Sequence, residues 1–227
     1  MADENDYSSN LVPATTGTET AADIAAPLVA AVPWLGGPLA AVLSGISVGR
    51  KIGRVREAMA ALAVELEGFE EQASKDYVHT EDFQELFERT LRQVADERSA
   101  AKRTMYARFL AGLVKSPGQP YEEQLRLLRT LEELQPDHLR ILKAMSQEPE
   151  LGSGLSSTFE ATLRDRLPGM TAERIGDLAS QLNDLRVADL TSLRTMMTYN
   201  GAQDLRGHIT PYGQRFMQYI ETDEPKT

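Results

Sequence analysis

The sequence predicts a mainly α protein, built as a long helical hairpin or coiled-coil stalk with a C-terminal winged-helix-like domain. Three observations carry that expectation. A heptad runs through Ile52, Val55, Met59, Leu62, Leu66, Phe69 and Ala73 in unbroken steps of three and four, which lays one apolar seam along a helix. A second stretch, Phe83 to Leu113, repeats its apolar residues at helical spacing beneath a heavily charged face. After Pro136 come three short helical stripes, a hairpin signal at Asn200-Gly201 and a closing apolar stripe. That order is the winged form of helix-turn-helix.

Taken in order, residues 1–20 are polar and acidic, and a disordered tail is expected there. From Ile24 to Gly49 no residue is charged. Residues 21–49 read as an apolar helical hairpin broken by Pro33-Trp34-Leu35-Gly36-Gly37-Pro38, because proline and glycine punctuate helices. Its apolar residues are Leu28, Val32, Trp34, Leu35, Leu39, Val42, Leu43 and Ile46. Ala41, Gly45, Gly49 and Gly53 recur every fourth residue and form a flat ridge that another backbone can approach closely. Arg50, Lys51, Arg54 and Arg56 follow as a basic flank. Run backwards, the heptad register lands on Val48, Gly45, Ala41 and Pro38. One helix is therefore expected from about Pro38 to Ser74, with the coiled-coil seam on Ile52, Val55, Met59, Leu62, Leu66 and Phe69. At 1.5 Å per residue such a helix extends about 55 Å.

The apolar stretch has two readings. Each half of the hairpin is shorter than the roughly 20 residues that cross a bilayer. It either packs inside a homo-oligomer or associates with lipid, and cations flanking an apolar run suit a headgroup layer. The second reading is favoured, because an uncharged, Gly/Pro-broken hairpin with four flanking cations exceeds what a dimer needs.

Residues 50–134 are expected to form the helical stalk or bundle. A helix from Thr80 to Val114 can be capped by Thr80 or Asp82. Ser116-Pro-Gly-Gln-Pro120 ends it, and Tyr121–Leu134 forms the next. The winged-helix-like domain covers residues 136–222. Its helices are Asp137–Gln147, Thr158–Leu167 and Thr171–Leu185, its hairpin is Val187–Tyr199 with Arg206–Thr210, and its closing helix starts at Pro211.

Composition narrows the function. The net charge of −10 over 227 residues argues against a protein that coats nucleic acid. From Asp137 onward there are ten Lys and Arg against thirteen Asp and Glu, a poor footprint for a DNA reader. Arg174, Gln181, Asn183, Arg186, Arg194 and Arg206 are the residues a DNA-binding winged helix would use. There is no cysteine, so disulfides, Cys-ligated zinc and thiol catalysis are excluded. His79, His138 and His208 lack metal-ligand spacing. Ser99-Ala-Ala-Lys102 puts a lysine one turn from a serine but on a charged outer face, and Gly152-Ser-Gly154 follows no strand. The acidic start, with Asp3, Glu4 and Asp6, does not suit a secretory signal. No enzyme, cofactor or metal is expected. The expected partners are a second copy of the chain, membrane lipid and a protein at the winged helix. The expected location is cytoplasmic, including the inner face of the membrane.

Three segments carry a resemblance: Lys102-Arg-Thr-Met-Tyr-Ala-Arg-Phe-Leu-Ala-Gly112, Leu131-Glu-Glu-Leu-Gln-Pro-Asp-His-Leu-Arg-Ile-Leu142, and His208-Ile-Thr-Pro-Tyr-Gly213 with Phe216. Over about residues 95–221 the chain resembles the Abi-alpha (abortive infection) family of bacterial proteins. Those share a Tyr-Ala-containing helix, a proline-started helix ending Ile-Leu and a winged-helix-like end with Thr-x-x-Gly. The apolar N-terminal hairpin departs from that pattern, and there is no family catalytic residue to carry over. The resemblance implies a role in anti-phage defence. An adaptor that assembles through its arm, or a winged-helix DNA-binding regulator, stands as the alternative.

Overall fold

A computed structural model describes residues 49–69, 71–150 and 152–220. Among these residues the protein is mainly α, with ten helices and one two-stranded antiparallel pair. The apolar hairpin residues 28–46, the ridge residues Ala41 and Gly45, and the expected tail lie outside the described residues. No described helix is long and apolar enough to cross a membrane.

The first described helix, α1, spans Gly49–Glu65. It stops nine residues short of the expected end at Ser74. Gly68 takes φ +73°, a left-handed conformation that glycine adopts without steric cost and that closes helix ends. The chain restarts as α2, Gln72–Tyr77. The heptad therefore serves one helix and its exit turn. Val55, Met59, Leu62 and Leu66 are fully buried, while Ile52 and Phe69 pack half-buried against them. Ala73 is exposed.

The expected single helix Thr80–Val114 is two helices, α3 (Glu81–Asp96) and α4 (Ala100–Lys115). Glu97 turns to extended backbone at ψ 126°. The Ser99 hydroxyl then caps α4 by accepting the Lys102 N–H at 3.3 Å. The bend lets α3 and α4 both face α1, and these are its main neighbours. The seam drawn for a coiled-coil partner is thus covered, over 52–69, by the chain's own helices.

Helices α5 (Tyr121–Glu133) and α6 (Pro136–Ser146) follow closely the spans their spacing predicts. So do α7 (Phe159–Arg166) and α8 (Ala172–Asp184), each capped by the threonine before it. The predicted hairpin is reduced to a short antiparallel contact between 187–189 and 208–210. Asn200-Gly201 lies inside a short helix, α9 (Tyr199–Gln203), because the Thr198 hydroxyl accepts the Gly201 N–H at 3.2 Å and starts a helical turn. Strand β2 (Met197–Thr198) pairs instead with β1 (Ser156–Ser157), forty residues upstream, in the register Ser156 to Thr198 and Ser157 to Met197. The expected return strand is a 3-10 turn, Arg206–His208, followed by one antiparallel bridge between Ala188 and Ile209.

The final described helix, α10 (Pro211–Ile220), packs onto α4. Tyr219 lies against Gly112, where a Cβ would come within 2.7 Å of the ring. The Tyr212 hydroxyl bonds Thr130 Oγ1 at 2.7 Å, and Arg126 stacks 4.0 Å over the Tyr212 ring. One continuous core, from Val55 to Ile220, crosses the boundary expected at Pro136.

Candidate functional site

Charged residues bolt α1 to the bundle. Lys51 Nζ pairs with Asp96 Oδ1 at 2.6 Å. Arg54 donates to the carbonyls of Ala95 at 2.9 Å and Asp96 at 3.2 Å. Those carbonyls end α3, where the helix dipole is negative, so both cations are well placed. Arg103, 8% exposed, donates to the carbonyls of Glu97 and Arg98 and to the carboxylate of Glu57. Arg108 Nε reaches Glu65 Oε1 at 3.1 Å. Two residues of the expected basic flank, Lys51 and Arg54, are therefore engaged inside the fold, and Arg56 is half-buried. Of the ridge, Gly53 faces open space: a Cβ there meets nothing within 4 Å. The apolar stretch before α1 thus joins a helix fixed at both ends.

The second candidate surface is the exposed side of α8. An open groove of about 480 Å³ runs beside it, lined by Glu173, Gly176, Asp177, Ser180, Leu190 and Arg194. This helix would enter the DNA groove in a winged-helix reader. Its expected contact residues are occupied otherwise. Arg194 Nε pairs with Glu160 Oε2 at 2.6 Å, and Arg206 pairs with Glu148 at 2.9 Å. Arg174 bonds Gln135 Oε1 at 2.7 Å and Asp137 Oδ2 at 3.2 Å. Asn183 Oδ1 accepts the Leu190 N–H at 2.6 Å. Arg186 is exposed and sits at φ 57°, in the turn that ends α8. Gln181 lies beside His138. Arg174, Asn183, Arg194 and Arg206 hold the fold or pair with acids, and the lining carries Glu173 and Asp177 against one arginine.

A third polar cluster lies where α5 meets α6. His138 is fully buried, and its Nδ1 accepts the Gln135 N–H at 2.8 Å. Gln135 and His138 form a reciprocal cap on α6. Asp137 binds both Arg174 and Arg140. Burial pushes the His138 pKa below the ordinary histidine value, and the nearby Arg174 guanidinium acts in the same direction. Burial raises the Asp137 pKa, but its hydrogen bonds to the two guanidinium groups outweigh this and leave it lowered.

The remaining motifs resolve into structure. Ser99 caps α4, and Lys102 Nζ donates to the Glu132 carbonyl at 2.6 Å, so the two form no nucleophile–base pair. Burial lowers the Lys102 pKa. Gly152 and Gly154 wrap the Tyr199 ring, where Cβ atoms would approach within 2.8 and 2.6 Å. His208 packs edge-on to Phe159, and His79 is exposed. Among the described residues no group of three or more His, Asp or Glu is placed to hold a metal. The chain matches no family model, no curated protein and no solved structure.

Proposed function

We propose that the chain is a non-enzymatic, membrane-associating and self-associating protein of anti-phage defence, which acts through its apolar N-terminal stretch. One observation carries this reading. In sequence, the uncharged run Ile24–Gly49 ends at the first residue of α1, and α1 is held by a buried seam and four charged contacts. The helix that follows the apolar run is thus anchored to the bundle. The resemblance to the Abi-alpha family supports the defence role. A winged-helix-like unit at 136–222 serves in this reading as a protein contact. Pairing of Arg174, Arg194 and Arg206 with acids argues against the DNA-binding alternative.

Liposome flotation and dye release test the proposal. Full-length protein should float with anionic vesicles and release dye, and a variant lacking residues 21–48 should do neither while keeping its helical circular dichroism. A full-length protein that neither floats nor releases dye sinks this reading and favours the adaptor, whose specific support is the open groove beside α8.

A further inference from the structure

We propose that His138 is an acid-sensitive latch holding α8 against the joint between α5 and α6. The proposal is independent of membrane association. Four side chains and one backbone amide meet at this joint. The Gln135 N–H donates to His138 Nδ1 at 2.8 Å. The Gln135 Oε1 accepts from Arg174 at 2.7 Å, and Asp137 Oδ2 accepts from the same guanidinium at 3.2 Å. Gln135 thus links the imidazole on α6 to the arginine on α8.

An Nδ1 that accepts a backbone N–H must carry a lone pair. Protonation puts a hydrogen there and turns the contact into two donors face to face. The new cation has no water to solvate it, because His138 has no exposed surface. The groups around it compensate only in part. From α8 the facing residues are Arg174, which repels it, and Gln181, whose side-chain hydrogen bond favours the charged ring but is outweighed by burial. From α6 the facing charge is Asp137, whose carboxylate is already shared by Arg174 and Arg140. The lower-energy route for the charged ring is outward, which breaks the α6 cap and frees Gln135 and Arg174 together.

The direction in pH follows. The folded-state pKa lies below the unfolded value of 6.5, so the closed joint is fully stable above about pH 6.5. It weakens as pH falls from there through the folded pKa, by up to about tenfold in the closed/open ratio per pH unit. The α1, α3 and α4 core contains no histidine and should not respond in this window.

Hydrogen exchange read by mass spectrometry at about pH 7.5 and about pH 5, corrected for intrinsic rates, tests the latch. In the wild type, the first turns of α6 and α8 should lose protection at the lower pH, by at most about tenfold per pH unit below the ordinary histidine value, while α1, α3 and α4 keep theirs. In His138→Gln, whose amide oxygen can accept the Gln135 N–H but does not titrate, protection should be the same at both values. Unchanged protection in the wild type, equal loss in the variant, or loss spread over all helices each overturns the proposal. If the variant does not fold, an NMR titration of the wild-type His138 ring decides. A midpoint at or above the ordinary histidine value overturns the latch, and one below it, coincident with loss of the α6 cap, supports it.

Discussion

Gly213 lies against the carbonyl oxygen of Val187, so closely that a Cβ at position 213 would overlap it. The Thr210 hydroxyl fixes the approach. It donates to the Arg186 carbonyl at 2.6 Å and accepts the Gly213 N–H at 2.9 Å. The Thr-x-x-Gly segment thus starts α10 and clamps it to the end of α8. Gly213→Ala should cost about 3 kcal/mol, the upper end for overpacking, because the obstruction is backbone rather than a movable side chain. A urea midpoint within error of wild type would contradict this.

Arg103 and Glu57 should not be equal partners. The Glu57 side chain is 62% exposed and that of Arg103 10%. Glu57→Gln removes a charge that water already screens, and should cost about 1 kcal/mol or less. Arg103→Met also removes the donors to the Glu97 and Arg98 carbonyls in the bend after α3, and should cost about 2–3 kcal/mol. Chemical denaturation of the two variants side by side checks the order; equal losses would refute it.

Tyr77 donates to Gln124 Oε1 at 2.7 Å, and burial pushes its phenol up to about 12. A raised acid pKa means that the folded state keeps a proton the unfolded chain releases. Its contribution is complete below about pH 10 and is lost as pH rises towards about 12. Ultraviolet titration should show this tyrosine ionising late, and Tyr77→Phe should flatten the alkaline loss of stability. An unaltered alkaline profile in the variant would remove Tyr77 from the account.

Ser99 is a helix cap, and its replacement should behave like one. Ser99→Ala should lower stability by about 1 kcal/mol. A serine-reactive fluorophosphonate probe should label wild type and variant alike at background level. Ser99-dependent labelling would reopen the nucleophile reading.

Much of the helical framework was legible because amphipathic spacing reports burial directly. The stripe Ile175, Leu178, Leu182 placed α8 within a residue at each end, and in the structure Thr158 and Thr171 cap α7 and α8. The breaks were harder. Gly68 gave a local signal that the continuing heptad through Phe69 and Ala73 masked. The bend at Glu97 has neither glycine nor proline; it is held by Arg103 reaching back to carbonyls of the preceding turn. Asn200-Gly201 is a hairpin signal only if strands flank it, and the Thr198 cap started a helix instead. The pairing of β1 with β2 spans forty residues and leaves no local trace. For the candidate surfaces, sequence marked the arginines of the α8 face and the cations of α1. It did not show that Arg174, Arg194, Arg206, Lys51 and Arg54 are already engaged, because those partners come from distant helices.

The seating of Tyr219 against Gly112 has a consequence for synthesis. The face of α4 that includes Phe109 leaves the ribosome about a hundred residues before the helix that covers it. At ordinary elongation rates the gap is on the order of 5–20 s. Throughout that interval the emerging chain carries an uncovered apolar strip in addition to the uncharged sequence that precedes α1. A trigger-factor-like chaperone should therefore dwell on nascent chains halted before residue 211 and leave once α10 has emerged.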